Sequence, residues 1–273
     1  MTELARAVQA ESAVLRWQAI EKFNEETQSK STDGATLLIL VKALGDEHPF
    51  VRWQAGLALR QHQVGWDKLV EVLKSNSNAK TGTESDRVRS AAIDALAGQT
   101  SPEINAALIE ILQTGSATLR QAAAEALAHR GNLEAATPLL VALNDVDPWV
   151  RRAAAYALGH IGDQSVAGAL ISKLADEAVI VRRSAAYALG ALRAAAGLSR
   201  LQAALADPDS QVRRNAAWAL GRLGQAEAVP ALHQLLTDEA LNGTIAQTAQ
   251  HAINTITKPA WLQFLMGLHG RFQ

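Results

Sequence analysis

Residues 145–175 read DVDPWVRRAAAYALGHIGDQSVAGALISKLA, and this stretch decides the fold because much of the chain repeats it. Its central motif, VRRAA, returns in related form around seven arginines, at positions 16, 52, 89, 120, 151, 182 and 213. The intervals between them are 36, 37, 31, 31, 31 and 31 residues. A period held this strictly indicates stacked repeats rather than a single globular core.

Each repeat contains the signals of two helices. Within residues 145–175, Asp147 is a good N-cap, Pro148 fits the first helical position and Gly162 fits the C-terminus, so a first helix is predicted between them. The apolar residues that follow have the spacing of a second, amphipathic helix, at Val166, Leu170, Ile171 and Leu174. No segment alternates with the period of two that strands need, so we expect an all-α chain.

Composition excludes several classes of protein. The 26 basic and 27 acidic residues leave a formal net charge of −1, so no overall positive field attracts nucleic acid or an anionic membrane. Because the chain has no cysteine, it offers no disulfide, thiolate zinc site or cysteine nucleophile. No apolar run approaches the roughly 18 residues that span a bilayer, and residues 1–12 lack a signal-peptide pattern. We therefore expect a cytoplasmic protein without membrane contact.

Three known helical repeats have roughly this length. The Trp, Leu-Gly and Tyr pattern of tetratricopeptide units is absent, and the ankyrin signature is matched only once and in part, at residues 137–140. The recurring pattern here is an aspartate, five further residues, VRRAAAxALGxIGD and a short apolar helix. It closely resembles HEAT repeats of the short phycobilisome (PBS) lyase HEAT-like type, found in E/F-type phycobilin lyase subunits. The resemblance extends from about Leu15 to Ile256.

This resemblance implies a right-handed α-solenoid of about seven HEAT-like helix pairs plus a degenerate C-terminal capping unit, in a single array over residues 1–273. The two longer intervals predict polar loop insertions near 24–34 and 74–86, and the cap is expected at 242–273. In the cap, Ile245 takes approximately the place of Val212, with no arginine after it. Glycines near the helix ends are expected to act as C-caps, at Gly159, Gly162, Gly190, Gly221 and Gly224.

In HEAT-type units, an aspartate six residues before the arginine pairs with that arginine or with the arginine of the adjacent unit. Such aspartates precede four of the arginines here, and they are Asp46, Asp145, Asp176 and Asp207. The units of Arg16, Arg89 and Arg120 have at that position Ala10, Thr83 and Thr114. The pairing is therefore expected to be interrupted toward the N-terminal half. We predict that these pairs fix the stacking of helices and take no part in chemistry.

The resemblance also turns the arginine-bearing helix toward the concave side, so that equivalent residues of successive repeats form rows across a groove. Within one helix, Arg152, Tyr156 and His160 are four residues apart and share one stripe. Arginine beside aromatic rings suits carboxylate recognition and protein hot spots. The predicted binding residues of the groove are Trp17, Trp53, Arg152, Tyr156, His160, Arg183, Tyr187, Arg214, Trp218 and Arg222.

We expect a protein-binding scaffold or chaperone that holds a partner protein in this groove. The alternative is an E/F-type phycobilin lyase subunit or bilin-protein chaperone. In that case the arginines would hold the propionates of a linear tetrapyrrole such as phycocyanobilin, and the partner would be a phycobiliprotein subunit or a second HEAT-like lyase subunit.

No catalytic residue is identified, so an enzyme is the less favoured reading. No cofactor or metal site is expected, because the groove histidine His160 lacks nearby carboxylates in a ligand cluster. Nucleic acid is not expected either, because acidic residues share the groove. A HEAT-type deoxyhypusine hydroxylase would need paired His-Glu dipeptides, and the sequence contains none.

Overall fold

In the computed structural model, the described residues form helices, turns and short connections, and no β-strand. The description covers residues 3–27, 34–61, 63–74, 83–97, 99, 101–128, 133–237 and 243–258. Within these ranges, no helix combines the length and the apolar character that a bilayer-spanning segment needs. The expectation of an all-α chain is confirmed over this part of the sequence.

The chain divides into two compact units, unit 1 (Met1–Ala142) and unit 2 (Leu143–Gln273). Unit 1 contains α1 (Glu3–Ala7), α2 (Ala13–Thr27), α3 (Gly34–Ala43), α4 (Pro49–Arg60), α5 (Gln63–Lys74), α6 (Thr83–Leu96), α7 (Pro102–Thr114), α8 (Ala117–Ala128) and α9 (Ala136–Ala142). The repeat arginines lie on α2, α4, α6 and α8, which we call the first helices of unit 1. These first helices pack against one another in chain order.

Unit 2 continues the same alternation. It contains α10 (Pro148–Ile161), α11 (Ala167–Ser172), α12 (Val179–Leu192), α13 (Leu198–Ala204), α14 (Ser210–Leu223), α15 (Val229–Leu236) and α16 (Gly243–Thr257). Its first helices are α10, α12, α14 and α16, and each packs against the next. Each unit is thus a stack of helix pairs, the local arrangement of an α-solenoid. One continuous array over residues 1–273 stays a prediction.

The predicted capping signals begin and end α10. The Asp147 carboxylate accepts two backbone N–H groups of the first turn of α10, and Pro148 occupies that turn. Gly162 ends the helix in the left-handed region, with φ of 86°. Asp209 and Gly224 do the same for α14. The predictions for Asp147, Pro148, Gly162 and Gly224 are confirmed, and the cap at Asp209 is an addition from the structure.

The second helices are shorter than their apolar spacing predicts. A 3-10 turn at Gln164–Val166 leads into α11, and another at Lys173–Ala175 follows it. Of the predicted apolar face, Val166 and Leu170 are buried in the core, whereas Ile171 and Leu174 are partly exposed. Similar 3-10 turns precede α13 and α15, which gives these repeats of unit 2 a tight corner between their two helices.

The helices of unit 1 extend into both predicted insertions. α2 continues to Thr27, and α6 already begins at Thr83. In the repeats of Arg52, Arg151, Arg182 and Arg213, by contrast, the first helix begins three residues after the aspartate. The rest of the two insertions, 28–33 and 75–82, lies outside the described residues.

The degenerate final repeat has the predicted register. Ile245 is buried in α16, as Val212 is in α14, and Ala246 stands where an arginine would be. α16 packs against both α14 and α15, so it completes a helix pair without the arginine. The remainder of the predicted cap, 259–273, lies outside the described residues.

Three glycines have a different role from the one predicted. Gly159, Gly190 and Gly221 lie inside α10, α12 and α14 rather than at their ends, so the prediction that they are C-caps is wrong. Each is a point of close approach between adjacent first helices. A methyl group added at Gly190 would lie 2.7 Å from the Cα of Ala219 and 2.6 Å from the ring of Trp218. The missing side chain is therefore what lets neighbouring repeats come together.

We expect Gly190→Ala to lower the free energy of unfolding by about 1–3 kcal/mol, the usual cost of overpacking. Urea denaturation followed by circular dichroism measures this change. The matched control is Gly168→Ala in α11, where an added methyl meets nothing within 4 Å. The control should stabilise the protein by up to about 1 kcal/mol because alanine favours helix over glycine. Equal effects of the two substitutions would contradict the close approach.

Candidate functional site

Arginines of successive repeats are joined to aspartates by what we call the Arg–Asp ladder, composed of Arg16–Asp46, Arg151–Asp176 and Arg182–Asp207. In each pair, Nε and NH2 of the arginine donate to the two oxygens of an aspartate that belongs to the following repeat. The N···O distances lie between 2.7 and 3.1 Å. The sequence left open whether each aspartate pairs with the arginine of its own repeat or of the adjacent one. The structure shows the pairing with the adjacent repeat.

The remaining nitrogen of each arginine is bound to its own repeat. NH1 of Arg151 donates to the backbone carbonyls of Asp145 and Val146, which lie in the turn before α10. The aspartates also make a second bond, since the Asp176 carboxylate accepts the backbone N–H of Ala178. One guanidinium therefore fixes two consecutive turns relative to each other.

The ion pairs shift the protonation of their members. Burial opposes ionisation of Asp176, but the Arg151 guanidinium and the backbone N–H of Ala178 outweigh it and hold the pKa of Asp176 below its ordinary value. Hydrogen bonds to Asp176 correspondingly raise the pKa of Arg151. Arg151 is only 7% exposed, and leaving such a charge without its partner costs about 3–5 kcal/mol. These pairs are structural.

The predicted interruption of the ladder falls after Arg52 and Arg89. The repeats that follow them have Thr83 and Thr114 at the aspartate position. Arg89 donates instead to the backbone carbonyl of Leu73. Arg52 keeps both NH1 bonds to its own turn, to the carbonyls of Asp46 and Glu47, at 2.8 and 2.9 Å.

The first helices of unit 2 leave one stripe uncovered. Between Val150 and Ile161 of α10, every residue is buried except Arg152, Tyr156 and His160. This is the stripe that the spacing of four residues predicted. α12 and α14 place Tyr187 and Trp218 at the positions equivalent to Tyr156, also partly exposed.

Tyr156, Tyr187 and Trp218 form a continuous aromatic stack across three repeats. The ring centroids of Tyr156 and Tyr187 are 5.7 Å apart with an interplanar angle of 14°. Those of Tyr187 and Trp218 are 5.1 Å apart at 7°. These rings point in a common direction, because residues 31 apart become neighbours when the first helices stack in register.

Two further predicted residues border the aromatic stack. The His160 ring lies 4.2 Å from the Tyr156 centroid and 5.9 Å from that of Tyr187. The Arg222 guanidinium lies over the Trp218 ring at 5.8 Å from its centroid, within the range of a cation–π interaction. The ring faces thus contact one another and Arg222, while their edges remain partly open.

The three arginines predicted as a row differ in their environment. Arg183 forms a two-pronged ion pair with Asp209, the N-cap of α14, with N···O distances of 2.8 and 2.5 Å. Its guanidinium is therefore engaged between repeats rather than held ready for a partner. Arg152 lies over the Trp149 ring at 5.5 Å. Arg214 is partly exposed on the stripe of α14 next to Trp218.

The predicted residues of unit 1 lie on adjacent first helices. Trp17 is half-buried on α2, and Trp53 is 60% exposed on α4. Trp53 lines a cleft of about 500 Å³ between α4 and α6, which we call the Arg52 cleft; its charged and aromatic lining comprises Arg52, Trp53, Arg60, Asp86, Arg87 and Asp94.

Within this cleft, the carboxyl group of Asp94 has a raised pKa. The walls of the cleft partly remove its carboxylate from water although the residue keeps an exposed face, and this desolvation raises the pKa of Asp94. The negative charge of Glu125 adds to the rise, and the positive charge of Arg52 opposes it. The net charge of the cleft lining is accordingly sensitive to acid.

Sequence reasoning missed Trp149, Asp209 and the Arg52 cleft. Asp209 could have been found, since it stands at an N-cap position 26 residues after Arg183. Trp149 follows Pro148 in the first turn, where no repeat rule applied. Among the described residues, no group of three or more histidine, aspartate or glutamate side chains is arranged to hold a metal ion.

Stacked helix pairs with one arginine per repeat define a helical-repeat protein. A family profile described as HEAT repeats matches residues 67–145, 136–210 and 198–270. The chain therefore belongs to the HEAT repeat family. No curated protein shows significant sequence similarity to it.

Several solved structures resemble the chain. The Escherichia coli protein YibA is 18% identical with a TM-score of 0.61, and the alignment covers 94% of this chain and 92% of YibA. At this identity the likeness shows a common fold alone. The complex of CpcE and CpcF of phycocyanin lyase from a Nostoc species is 21% identical with a TM-score of 0.49, over 84% and 97% of the two chains. A designed armadillo repeat protein in complex with a (KR)4 peptide is 20% identical with a TM-score of 0.48, over 81% and 99%.

The Arg183–Asp209 pair predicts a specific dependence of stability on pH. Arg183 holds the pKa of Asp209 at about 2, against an ordinary value of 3.8, so the pair stabilises the fold fully above pH 4 and less as the pH falls toward 2. Asp209→Asn keeps a good N-cap but removes the ion pair, and should cost up to about 1 kcal/mol at pH 6, as expected for a partly exposed pair.

Urea denaturation of both proteins between pH 6 and pH 2 measures the effect. The difference in free energy of unfolding should shrink as the pH falls from about 4 to 2. A difference that stays constant to pH 2 would show that the negative charge of Asp209 does not stabilise the fold.

Proposed function

We propose that the chain is a protein-binding HEAT-repeat scaffold or chaperone, which holds its partner against the open stripe of the first helices. The observation that carries this proposal is the aromatic stack together with the cations beside it. Tyrosine, tryptophan and arginine are the residue types that dominate protein-binding hot spots. In unit 2 they occur at equivalent positions of consecutive repeats, where a partner can contact several of them at once.

The chemistry of the surface favours a partner with exposed carboxylates. Arg214 and Arg222 both lie beside Trp218, so a carboxylate can be bound by a guanidinium while an apolar group rests on the ring edges. Arg183 is excluded from this role by its bond to Asp209. The binding surface proposed for unit 2 therefore consists of Arg152, Tyr156, His160, Tyr187, Arg214, Trp218 and Arg222.

A bilin lyase subunit is less well supported by the geometry. A linear tetrapyrrole would need free aromatic faces, but in the aromatic stack the rings already cover one another's faces. Carboxylate binding by Arg214 and Arg222 would serve propionate groups as well as a peptide. Absorbance and zinc-enhanced fluorescence after mixing with phycocyanobilin distinguish the two, since uptake of the bilin would favour the lyase class.

We expect Arg214→Gln combined with Arg222→Gln to weaken binding of a partner, captured from native lysate and then purified, by at least about tenfold, because two charge-assisted contacts are lost. Isothermal titration calorimetry measures the affinity. The free energy of unfolding should change by less than about 1 kcal/mol, since both side chains are surface charges.

The matched control is Arg200→Gln, which removes an exposed charge from the second helix α13. It should bind the partner with the affinity of the natural sequence. Full affinity in the double variant, or equal losses in the double variant and the control, would place the binding surface elsewhere.

A further inference from the structure

The interruption of the Arg–Asp ladder leaves Arg52 without the carboxylate that the ladder arginines hold. In Arg16, Arg151 and Arg182, Nε and NH2 hold a carboxylate of the next repeat. In Arg52 the same two nitrogens make no hydrogen bond to any described residue, although NH1 is bound to the turn as in the other repeats. Nε and NH2 of Arg52 therefore lie as in the ladder arginines but have no hydrogen-bonded carboxylate among the described residues, and Asp94 in the same cleft acts on Arg52 through its charge.

One feature of the sequence and one of the structure leave Arg52 without a carboxylate from the following repeat. Thr83 takes the place of the aspartate in the following repeat, and α6 begins at Thr83 itself. The turn that carries the aspartate in other repeats is therefore absent at this position. The Arg52 cleft, with its volume of about 500 Å³, lies between α4 and α6 at this break.

The cleft also has apolar side chains beside the Arg52 guanidinium. Trp53 is 60% exposed and Leu57 also lines the cleft, one helical turn further along α4. Gly56 and Ala95 line the cleft where α4 and α6 approach closely, since a methyl group added at Gly56 would lie 3.0 Å from the Cβ of Ala95. A ligand with an apolar group beside a carboxylate would thus find both contacts within one cleft.

The charges of the cleft lining favour a ligand with few negative charges over a polyanion. Arg52, Arg60 and Arg87 supply three positive charges, and Asp86 and Asp94 supply two negative ones. A single carboxylate can approach Arg52, whereas the repeated phosphates of a nucleic acid would also meet the two aspartates. The balance favours an acidic peptide over a polyanion.

We propose that the Arg52 cleft binds an acidic segment of a partner protein, with an aspartate or glutamate carboxylate on Nε and NH2 of Arg52 and a neighbouring apolar side chain against Trp53. The partner thereby supplies the carboxylate that the chain supplies itself at the other rungs. This inference rests on the proposed protein-binding function, but on residues of unit 1 that the proposal for unit 2 does not use.

The test uses the full chain and two fluorescein-labelled decapeptides. In one, aspartate and glutamate alternate with phenylalanine and leucine; in the other, asparagine and glutamine replace the acids. Fluorescence anisotropy should show binding of the acidic peptide and at least about tenfold weaker binding of the amide peptide. Arg52→Gln should weaken binding of the acidic peptide about tenfold, and Trp53→Ala should weaken binding of both peptides.

The matched control is Arg182→Gln, which changes the equivalent arginine where Asp207 already fills the donors. It should leave peptide affinity within about twofold of the natural sequence and lower the urea midpoint, whereas Arg52→Gln should lower the midpoint less. Trp53→Ala provides a second test if Arg52→Gln does not fold. Because Trp53 is a surface side chain, its substitution should leave the fold intact.

Three outcomes would overturn the inference: no binding of the acidic peptide, equal affinity for both peptides, or unchanged affinity in Arg52→Gln. Displacement of the peptide by a single-stranded oligonucleotide at lower concentration than by unlabelled peptide would also overturn it. These outcomes are independent of the proposal for unit 2, which fails instead when the captured partner binds Arg214→Gln/Arg222→Gln with full affinity.

Discussion

The structure depends on the way one guanidinium is shared between two repeats. An arginine has donors enough to bind the carbonyls of its own turn and the carboxylate of the next turn simultaneously. Because Arg151 and Asp176 are almost fully buried as side chains, each would be costly alone and both are satisfied together. The register between neighbouring repeats is thereby fixed to a single hydrogen-bonding geometry.

The arrangement of the surface follows from this register. Once adjacent first helices are aligned and brought close at Gly159, Gly190 and Gly221, residues at equivalent positions come within contact distance. Aromatic residues at these positions then stack on one another, as Tyr187 and Trp218 do. A contact that appears to belong to the surface is therefore set by packing beneath it, and the two cannot be altered independently at Gly190.

Much of this could be predicted from the sequence, because a repeat displays its own alignment. Positions within a single repeat are enough to predict the caps Asp147 and Gly162, the uncovered stripe of α10 and the break in the ladder. What could not be predicted depends on contacts between neighbouring repeats. A glycine near a helix end does not reveal which neighbouring helix approaches it, so the sequence predicts the wrong role for Gly190. Likewise, the engagement of Arg183 depends on where Asp209 lies in space, and the Arg52 cleft depends on the early start of α6.

The double attachment of Arg151 and Arg182 also makes the 31-residue repeat modular. Asp145, Asp176 and Asp207 stand at the same point of successive units, so excision of residues 176–206 would bring Asp207 to the distance along the chain from Arg151 that Asp176 now has. The same excision would place Trp218 directly against Tyr156. The length of such a protein can therefore grow or shrink by whole units through duplication and deletion, with every new joint already equipped with its ion pair.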